Sequence, residues 1–414
     1  MQFSKYVHRI IRENLRNCWR KNDYRYKSFS TWSPIVLGIE TSCDDTGCAI
    51  LNRRGDILGE TLFSQTLVHL RYGGVNPLIA RDMHRENIEK AVFKCLENSS
   101  LSMDNIDAIA VTVKPGLLIS LEIGVKYAKY LSKIYKKPLI PIHHMEAHAL
   151  AARMFQDIQL PFLTLLISGG NCLLAFVKEI DNFLLLGDTM DNSPGEVLDK
   201  AARRMKLRNL PEYSGMAGGK AIEMAAKNAV NPFQFDFPLP LNRNRDCNFS
   251  FSGLQDAFLR HLLHKEKYHN IMGDEIIPEV NELCAAFQLA MAEHIAHRTE
   301  RAIKYCEMTN LFRGDVKNIV VSGGVACNDF IFKSIECIGN KYGCKVFRPP
   351  PKLCTDNGVM IAWNALEKLK HKSDSVNEPI EINPTAPLGK NIIDKVKESD
   401  IQVRVTRLKK FNIV

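Results

Sequence analysis

IVLGIETSCDDTGCAIL, residues 35–51, sets the architecture of the chain. Residues 35–40 are apolar enough for a buried strand, and residues 48–51 return as a second. The turn between them, residues 41–47, is rich in hydroxyls and carboxylates. Such a hairpin can cradle phosphate through backbone N–H groups and hydroxyls, although an ordinary hairpin carries the same pattern. A third strand is expected near residues 57–64 and a helix near 84–96. Another short strand, 109–113, then runs into Lys114-Pro115-Gly116, and a helix follows over 120–135.

The theme returns downstream. Residues 162–167 form an apolar strand ending in Ser168-Gly169-Gly170-Asn171, and residues 318–321 end in Ser322-Gly323-Gly324-Val325. Two strands that each close in Ser-Gly-Gly point to tight turns where backbone approaches a ligand closely. Residues 191–206 read as a turn feeding a helix with Asp199 near its middle, and Gly218-Gly219 is a further place of close approach. Residues 281–308 make a long amphipathic helix with Leu283, Phe287, Met291 and Ile295 on one face. The loop CTDNG, residues 354–358, precedes a last strong helix over 359–370.

A chain of 414 residues is long for a single core and predicts two domains. With 45% hydrophobic and 24% charged residues it has the composition of a soluble globular protein. No apolar run approaches the roughly 18 residues of a membrane helix. The net charge of +9 is concentrated at the start: residues 1–33 hold eight Lys/Arg against Glu13 and Asp23, a balance of +6. There Phe3, Val7, Ile10, Ile11 and Leu15 recur at helical spacing, without the apolar core of about 7–15 residues that a secretory signal needs. An Arg-rich, acid-poor amphipathic start is the composition of a mitochondrial transit peptide; a basic arm that binds nucleic acid is the alternative. The 12 cysteines form no CxxC pair. Cys43, Cys48, Cys172, Cys284 and Cys327 read as reduced residues in apolar or tight-loop surroundings.

In LIPIHHMEAHALAA, residues 139–152, a short strand leads into two histidines and a run of helix formers. If the helix starts at His144, then His144 and His148 share a face with Cβ atoms about 5–6 Å apart. Two imidazoles so placed can bind one divalent metal; an exposed or hydrogen-bonded pair satisfies the same spacing. On the preceding helix Lys126, Lys129, Lys133 and Lys136 make a basic stripe, either a solvated face or a contact for a nucleic-acid backbone.

Nine motifs in order give the chain its resemblance to a family. They are GIETSCDDT (38–46), KPGL (114–117), IHHMEAHAL (142–150), LISGG (166–170), SPGEVLDKAAR (193–203), GGKA (218–221), FSFSGL (249–254), VSGGVACN (321–328) and CTDNGVMIAW (354–363). The chain resembles the tRNA N6-adenosine threonylcarbamoyltransferases, in particular their mitochondrial, O-sialoglycoprotein endopeptidase-like branch. The resemblance implies an α/β fold with the two-lobed architecture of actin-like ATPases and sugar kinases (ASKHA), built from duplicated ribonuclease H-like lobes. The expected divisions are a transit peptide over 1–33, an N-terminal lobe over 34–160, a C-terminal lobe over 161–370 and a tail over 371–414 that packs back on the lobes.

It also implies a reaction. A threonylcarbamoyl group passes from threonylcarbamoyl-adenylate to the exocyclic amine of the adenosine 3′ of the anticodon (position 37), in mitochondrial tRNAs reading codons that start with A. The family's metal site maps onto His144, His148 and Asp356, for one divalent cation per subunit (Zn, Fe or Mg). Its substrate contacts map onto Ile167, Ser168, Gly169, Gly170, Asn171, Asp199, Gly219, Glu223 and Asn328, with Thr41, Ser42 and Asp45 lining the same cleft. The implied partners are tRNA and a separate synthase that supplies the adenylate, with monomer and homodimer both open, no membrane, and a mitochondrial location. Asn171 stands where many members carry His, and Lys114 where Gly often precedes Pro-Gly. The rival readings are a metallopeptidase, a non-enzymatic nucleotide-binding or scaffold protein acting on organelle nucleic acid, which would not need the His–His–Asp set, and an ATPase or sugar kinase of the same architecture; the first can be weighed on spacing. The zincin pattern needs Glu directly after the first His; here Met145 is in that place, and Glu146 falls about 200° around the helix from His144.

Overall fold

Val36–Glu40 (β1) is buried along its whole length, as befits a strand in the middle of a covered sheet. It pairs antiparallel with Asp45–Leu51 (β2), which pairs antiparallel with Ile57–Ser64 (β3). On its other side β1 runs parallel to Ala108–Lys114 (β4), and β4 runs parallel to Leu139–His143 (β5). The order is β3-β2-β1-β4-β5. These relations come from a computed structural model that describes residues 33–404 and Leu408, apart from Arg313 and Asp315. Residues 1–32, and with them the expected transit segment, lie outside the described residues.

The second sheet repeats the first. Phe162–Ile167 (β6) pairs antiparallel with Cys172–Glu179 (β7), which pairs antiparallel with Asn182–Asp188 (β8). Lys317–Ser322 (β9) runs parallel to β6, and Cys344–Phe347 (β10) runs parallel to β9. The order β10-β9-β6-β7-β8 is therefore the first sheet over again, in the same strand directions, with Lys390–Asn391 (β11) added at the β8 edge. The duplicated ribonuclease H-like plan is visible in this connectivity.

The helix expected near 84–96 spans Pro77–Ser99. It begins earlier because Asn76 caps it, accepting the N–H of Leu78 at 3.1 Å, and because proline fits the first helical position. That start is written in turn chemistry; Pro77 and Leu78 at its head are exposed, and burial begins only at Ala80. Val280–Met308, expected over 281–308, packs Leu283, Phe287, Met291 and Ile295 into one core with Ile167 and Val321 at the strand ends.

Gly358–Lys370 follows the second sheet in the chain but lies on the first. A Cβ on Gly38 of β1 would stand 2.5 Å from Ala362 N, and one on Gly358 would stand 2.4 Å from the Cys48 carbonyl carbon of β2. Both glycines are there because helix and sheet meet backbone to backbone. The residues after this helix touch both sheets. Asn383 N donates to Val113 O at 3.1 Å, Ile392 N donates to Leu185 O at 2.9 Å, and Lys114 pairs with Glu378 at 3.1 Å.

Candidate metal centre and substrate cleft

The histidine helix, His144–Leu150, starts directly where β5 ends. His143 is the hinge between them: its Nδ1 accepts the N–H of Met145 at 3.2 Å, capping the helix. Burial pushes His143 down to about 3, so it stays a neutral acceptor. One turn apart on the buried face, the rings of His144 and His148 meet edge to face with centroids 4.6 Å apart. Asp356 arrives from far down the chain. Its Oδ1 lies 3.1 Å from His148 Nε2 and 3.4 Å from His144 Nε2. One donor atom from each of the three residues falls within 4.8 Å of the others.

The Asp356 loop is knitted by its neighbour. Asn357 caps Gly358–Lys370 by accepting the Met360 N–H at 2.9 Å, and its Nδ2 donates to Thr355 O at 2.6 Å. Asp356 is thus held at the mouth of a helix that is itself anchored on the first sheet. Charge tightens the arrangement. Burial alone would raise the Asp356 carboxyl, but the adjoining His144 and His148 hold it well below the ordinary range. Burial alone would lower His144, yet Asp356 and Glu40 raise it to about 10. His148 is lowered, mainly by burial.

Glu40 was absent from the sequence-based site and belongs beside it. It is fully buried at the end of β1, with Oε2 3.2 Å from His144 Nδ1 and 2.5 Å from Thr112 Oγ1. Ser42 Oγ lies 3.1 Å from the same Nδ1. One ring nitrogen is therefore held by the first hairpin, and the other is turned toward Asp356. This is the carboxylate–histidine arrangement that orients metal ligands in known sites. The signal was present in the sequence: a carboxylate inside an apolar strand has to be paired once buried.

The residues fit a divalent cation. Two imidazoles and one carboxylate make a three-ligand set that leaves positions open to substrate. His148 Nδ1 is buried with no hydrogen-bond partner among the described residues, so the ring's one engaged nitrogen is the one facing Asp356. Glu146 is turned to another partner: its carboxylate is buried against Lys368 at 3.1 Å, so it does not supply the base that the zincin pattern places after the first His.

The glycine turns adjoin this centre. A Cβ on Gly323, where φ is 99°, would stand 2.3 Å from Ile167 O, so the two Ser-Gly-Gly turns touch through backbone. Gly324 in turn faces the Thr355 methyl, one residue from Asp356. In the first of these turns, Ser168 N donates to Asn171 O at 2.9 Å, and Ser168 Oγ accepts from Gly170 N and Asn171 N. Ser193, which caps the helix Pro194–Arg204, donates its hydroxyl to Gly169 O. Gly169 and Gly170 are exposed, and a Cβ on either would meet nothing within 4 Å. They leave an open floor of backbone.

Other expected residues are engaged within the protein. Asp199 accepts the Gly219 N–H at 3.2 Å, at the start of the helix Gly218–Ala226. Glu223, on that helix, accepts the Asp329 N–H at 2.9 Å and pairs with Lys220 at 2.7 Å. Asn328 caps Asp329–Lys341 through the Ile331 N–H and donates to Gln288 Oε1 at 2.8 Å. In the hairpin, Ser42 joins the histidines. Thr41 instead is buried against Gly124, and Asp45 accepts the Gln65 N–H at 3.3 Å. Burial, reinforced by the charge of Asp44, pushes Asp45 up to about 7.

With the geometry in place, comparison with known proteins is informative. The family model described as tRNA N6-adenosine threonylcarbamoyltransferase matches residues 56–363. The mouse protein named tRNA N6-adenosine threonylcarbamoyltransferase, mitochondrial, is 47% identical over 371 residues, covering 89% of each chain. Its human counterpart is 46% identical over 371 residues with the same coverage. A Rickettsia rickettsii protein named tRNA N6-adenosine threonylcarbamoyltransferase is 36% identical over 352 residues, covering 85% of this chain and 96% of that one. Among solved structures, HypF of T. kodakarensis aligns with a TM-score of 0.51 at 14% identity over 83% of this chain and 49% of its own, a likeness of fold alone. A family match over residues 56–363 together with relatives 46–47% identical over 89% of the chain settles the family: the chain belongs to the tRNA N6-adenosine threonylcarbamoyltransferases.

Proposed function

We propose that this chain transfers a threonylcarbamoyl group from threonylcarbamoyl-adenylate to the exocyclic amine of adenosine 37, beside the anticodon, in mitochondrial tRNAs that read A-starting codons. The observation that carries the reading is the convergence of His144, His148 and Asp356 next to a floor of glycine backbone. An adenine amine is a poor nucleophile, so the carbonyl it attacks must be positioned and polarised. A divalent cation held by His144, His148 and Asp356 would supply Lewis-acid polarisation and a template for the substrate's oxygens.

The chain's own residues do the rest. Glu40 and Ser42 fix the His144 ring through Nδ1. The Ser168–Gly169–Gly170–Asn171 turn presents open backbone to the nucleotide, and the exposed carboxylate of Asp199 hydrogen-bonds ribose hydroxyls. Ile167, Gly219, Glu223 and Asn328 shape this wall through the backbone and capping contacts that hold it in place, and Thr41 and Asp45 do the same for the facing hairpin. The adenylate is already an activated leaving group, so no covalent enzyme intermediate is needed. A separate synthase delivers it. Residues 1–33 direct import; residues 34–160 form the first lobe, joined by the helix Gly358–Lys370 that lies on its sheet; residues 161–357 form the second; and residues 371–404 of the tail pack back on both.

We place a homodimer contact on the outer face of Pro77–Ser99 and Leu118–Tyr135. A groove of about 320 Å³ runs there, lined by Arg85, Ile88, Glu89, Ile123, Lys126, Tyr127 and Tyr130. The same two helices expose Phe93 and Ile134, and the groove carries both signs of charge, so that a second copy rotated onto it meets complementary groups.

The test is direct. Purified protein incubated with tRNA and threonylcarbamoyl-adenylate should give threonylcarbamoyladenosine by nucleoside mass spectrometry. His148→Ala should abolish product while Glu146→Gln retains it. Product from a metal-stripped His148→Ala protein would overturn the role given to this centre.

A further inference from the structure

The helix Gly358–Lys370, with Asp356 at its head, meets the histidine helix at three further points. Trp363 Nε1 donates to the carbonyl of Leu150, the last residue of His144–Leu150, at 3.1 Å. Glu367 Oε2 lies 2.9 Å from Nε of Arg153, in the turn that follows. Lys368 Nζ lies 3.1 Å from Glu146 Oε2. Glu367 and Lys368 are buried, and their two partners nearly so.

The placement of these contacts fixes an angle. Glu146 falls about 200° around the histidine helix from His144, so Asp356 meets one face of that helix and Lys368 the opposite one. Between residues 358 and 368 the second helix rises about 15 Å, enough to straddle a helix about 10–12 Å across. Held on opposed faces, the histidine helix cannot turn about its own axis, the motion that would carry its imidazoles away from Asp356. Stability alone is a weak reason for the Glu146–Lys368 pair. Desolvating two charges consumes much of what their attraction returns, and an apolar pair of similar volume is often as stable. What the charged pair adds is one preferred geometry.

We propose that Glu146 and Lys368 are positioning residues, aided by Trp363 and by the Arg153–Glu367 pair, that set the histidine helix so that His144, His148 and Asp356 stand in register before a cation arrives. That role rests on the reading of those three as metal ligands. Ligand atoms must reach about 2.0–2.2 Å from a cation, and a site performs only when held within about 0.5 Å of its productive geometry. A helix of 7 residues cannot hold itself to that tolerance, since isolated helices below about 12–15 residues are marginal in water. The clamp supplies the missing rigidity from outside.

Glu146→Met/Lys368→Met in the full-length protein removes both charges and strands neither, so its urea midpoint should stay near the parent's. Zinc binding, read by competition with a chromogenic chelator, should nevertheless weaken about tenfold or more, and the visible absorption of the cobalt-loaded protein should change in shape and intensity. In the metal-free protein, the amides of residues 144–150 should exchange with deuterium faster than in the parent. Trp363→Phe, which removes only the indole N–H, should shift exchange and affinity in the same direction by less. Glu146→Gln keeps an oxygen facing the Lys368 ammonium, so the helix angle and the product survive it. Parent-like exchange in the double variant, or faster exchange with unchanged zinc affinity, would overturn the proposal, as would losses that merely follow a fallen urea midpoint. A parent chain that takes up neither zinc nor cobalt would instead overturn the metal reading, while exchange in the metal-free proteins would still decide the clamp.

Discussion

Glu40 Oε2 lies 3.2 Å from Nδ1 of His144, while Nε2 of the same ring faces Asp356 at 3.4 Å. One imidazole thus joins a carboxylate of the first strand to a carboxylate whose loop follows the second sheet. The first carboxylate orients the ring, and the second shares its outward nitrogen.

Glu40→Gln keeps the shape of the side chain and removes its charge. Metal affinity should fall about 10–100-fold, the usual effect of losing an outer carboxylate, with the folded circular-dichroism spectrum retained. Unchanged affinity would reassign Glu40 to holding Thr112 and the Ser42 N–H.

Replacing either histidine should abolish transfer, but the two replacements should differ in their effect on stability. His144→Ala strands the buried Glu40 charge and should destabilise the metal-free protein by about 3 kcal/mol or more. His148→Ala removes a contact to Asp356, which is partly solvated, and should cost about 1–3 kcal/mol. Urea midpoints of the metal-free variants make the comparison; a more stable His144→Ala would contradict the buried-charge account.

Asp45 gives the pH dependence a definite sign. Its folded value, raised to about 7 from an ordinary 3.8 by burial and then by Asp44, means that the native state holds a proton the unfolded chain releases. The stability tied to that proton is fully present below the unfolded value and is lost as pH rises through the folded one. Asp45→Asn keeps an acceptor for the Gln65 N–H and cannot ionise. Its stability relative to the parent chain should therefore climb between pH 4 and 7 and level off above. A difference that stays flat with pH would remove Asp45 as the source.

Of the basic stripe, Lys126 pairs with Glu122 at 2.6 Å and Lys129 donates to Ile380 O at 3.2 Å. Lys133 is exposed and should carry more of any tRNA contact. Lys133→Glu should weaken tRNA binding most at low salt and lower the log–log salt slope by about 1. An unaltered slope would leave this face to solvent.

Tyr130 is 44% exposed at the groove between the two outer helices. Tyr130→Glu should convert a dimer to monomer in sedimentation velocity. A parent chain that is monomeric at micromolar concentration would dismiss this interface.

Much of the molecule could be read from one dimension. The apolar runs at 35–40, 109–113 and 162–167 announced buried strands, the apolar period at Leu283, Phe287, Met291 and Ile295 announced the longest helix, and the His144/His148 spacing announced a shared face. Those features are local, since strand and helix periods relate residues a few positions apart. Helix starts fixed by a single Asn-Pro pair, as at Pro77, were less legible because they are written in turn chemistry. By composition and motif order alone, the sequence determined an α/β chain and pointed to a paired-histidine centre.

What it left open depended on distance along the chain. Nothing local to Glu40 says that it will stand behind His144, and nothing in residues 358–370 says that their helix will leave the second sheet to lie against Gly38 of the first. That helix carries Asp356 at its mouth, so its docking brings the carboxylate to the histidines. Only backbone-to-backbone packing at Gly38 and Gly358, where no side chain intervenes, decided that meeting.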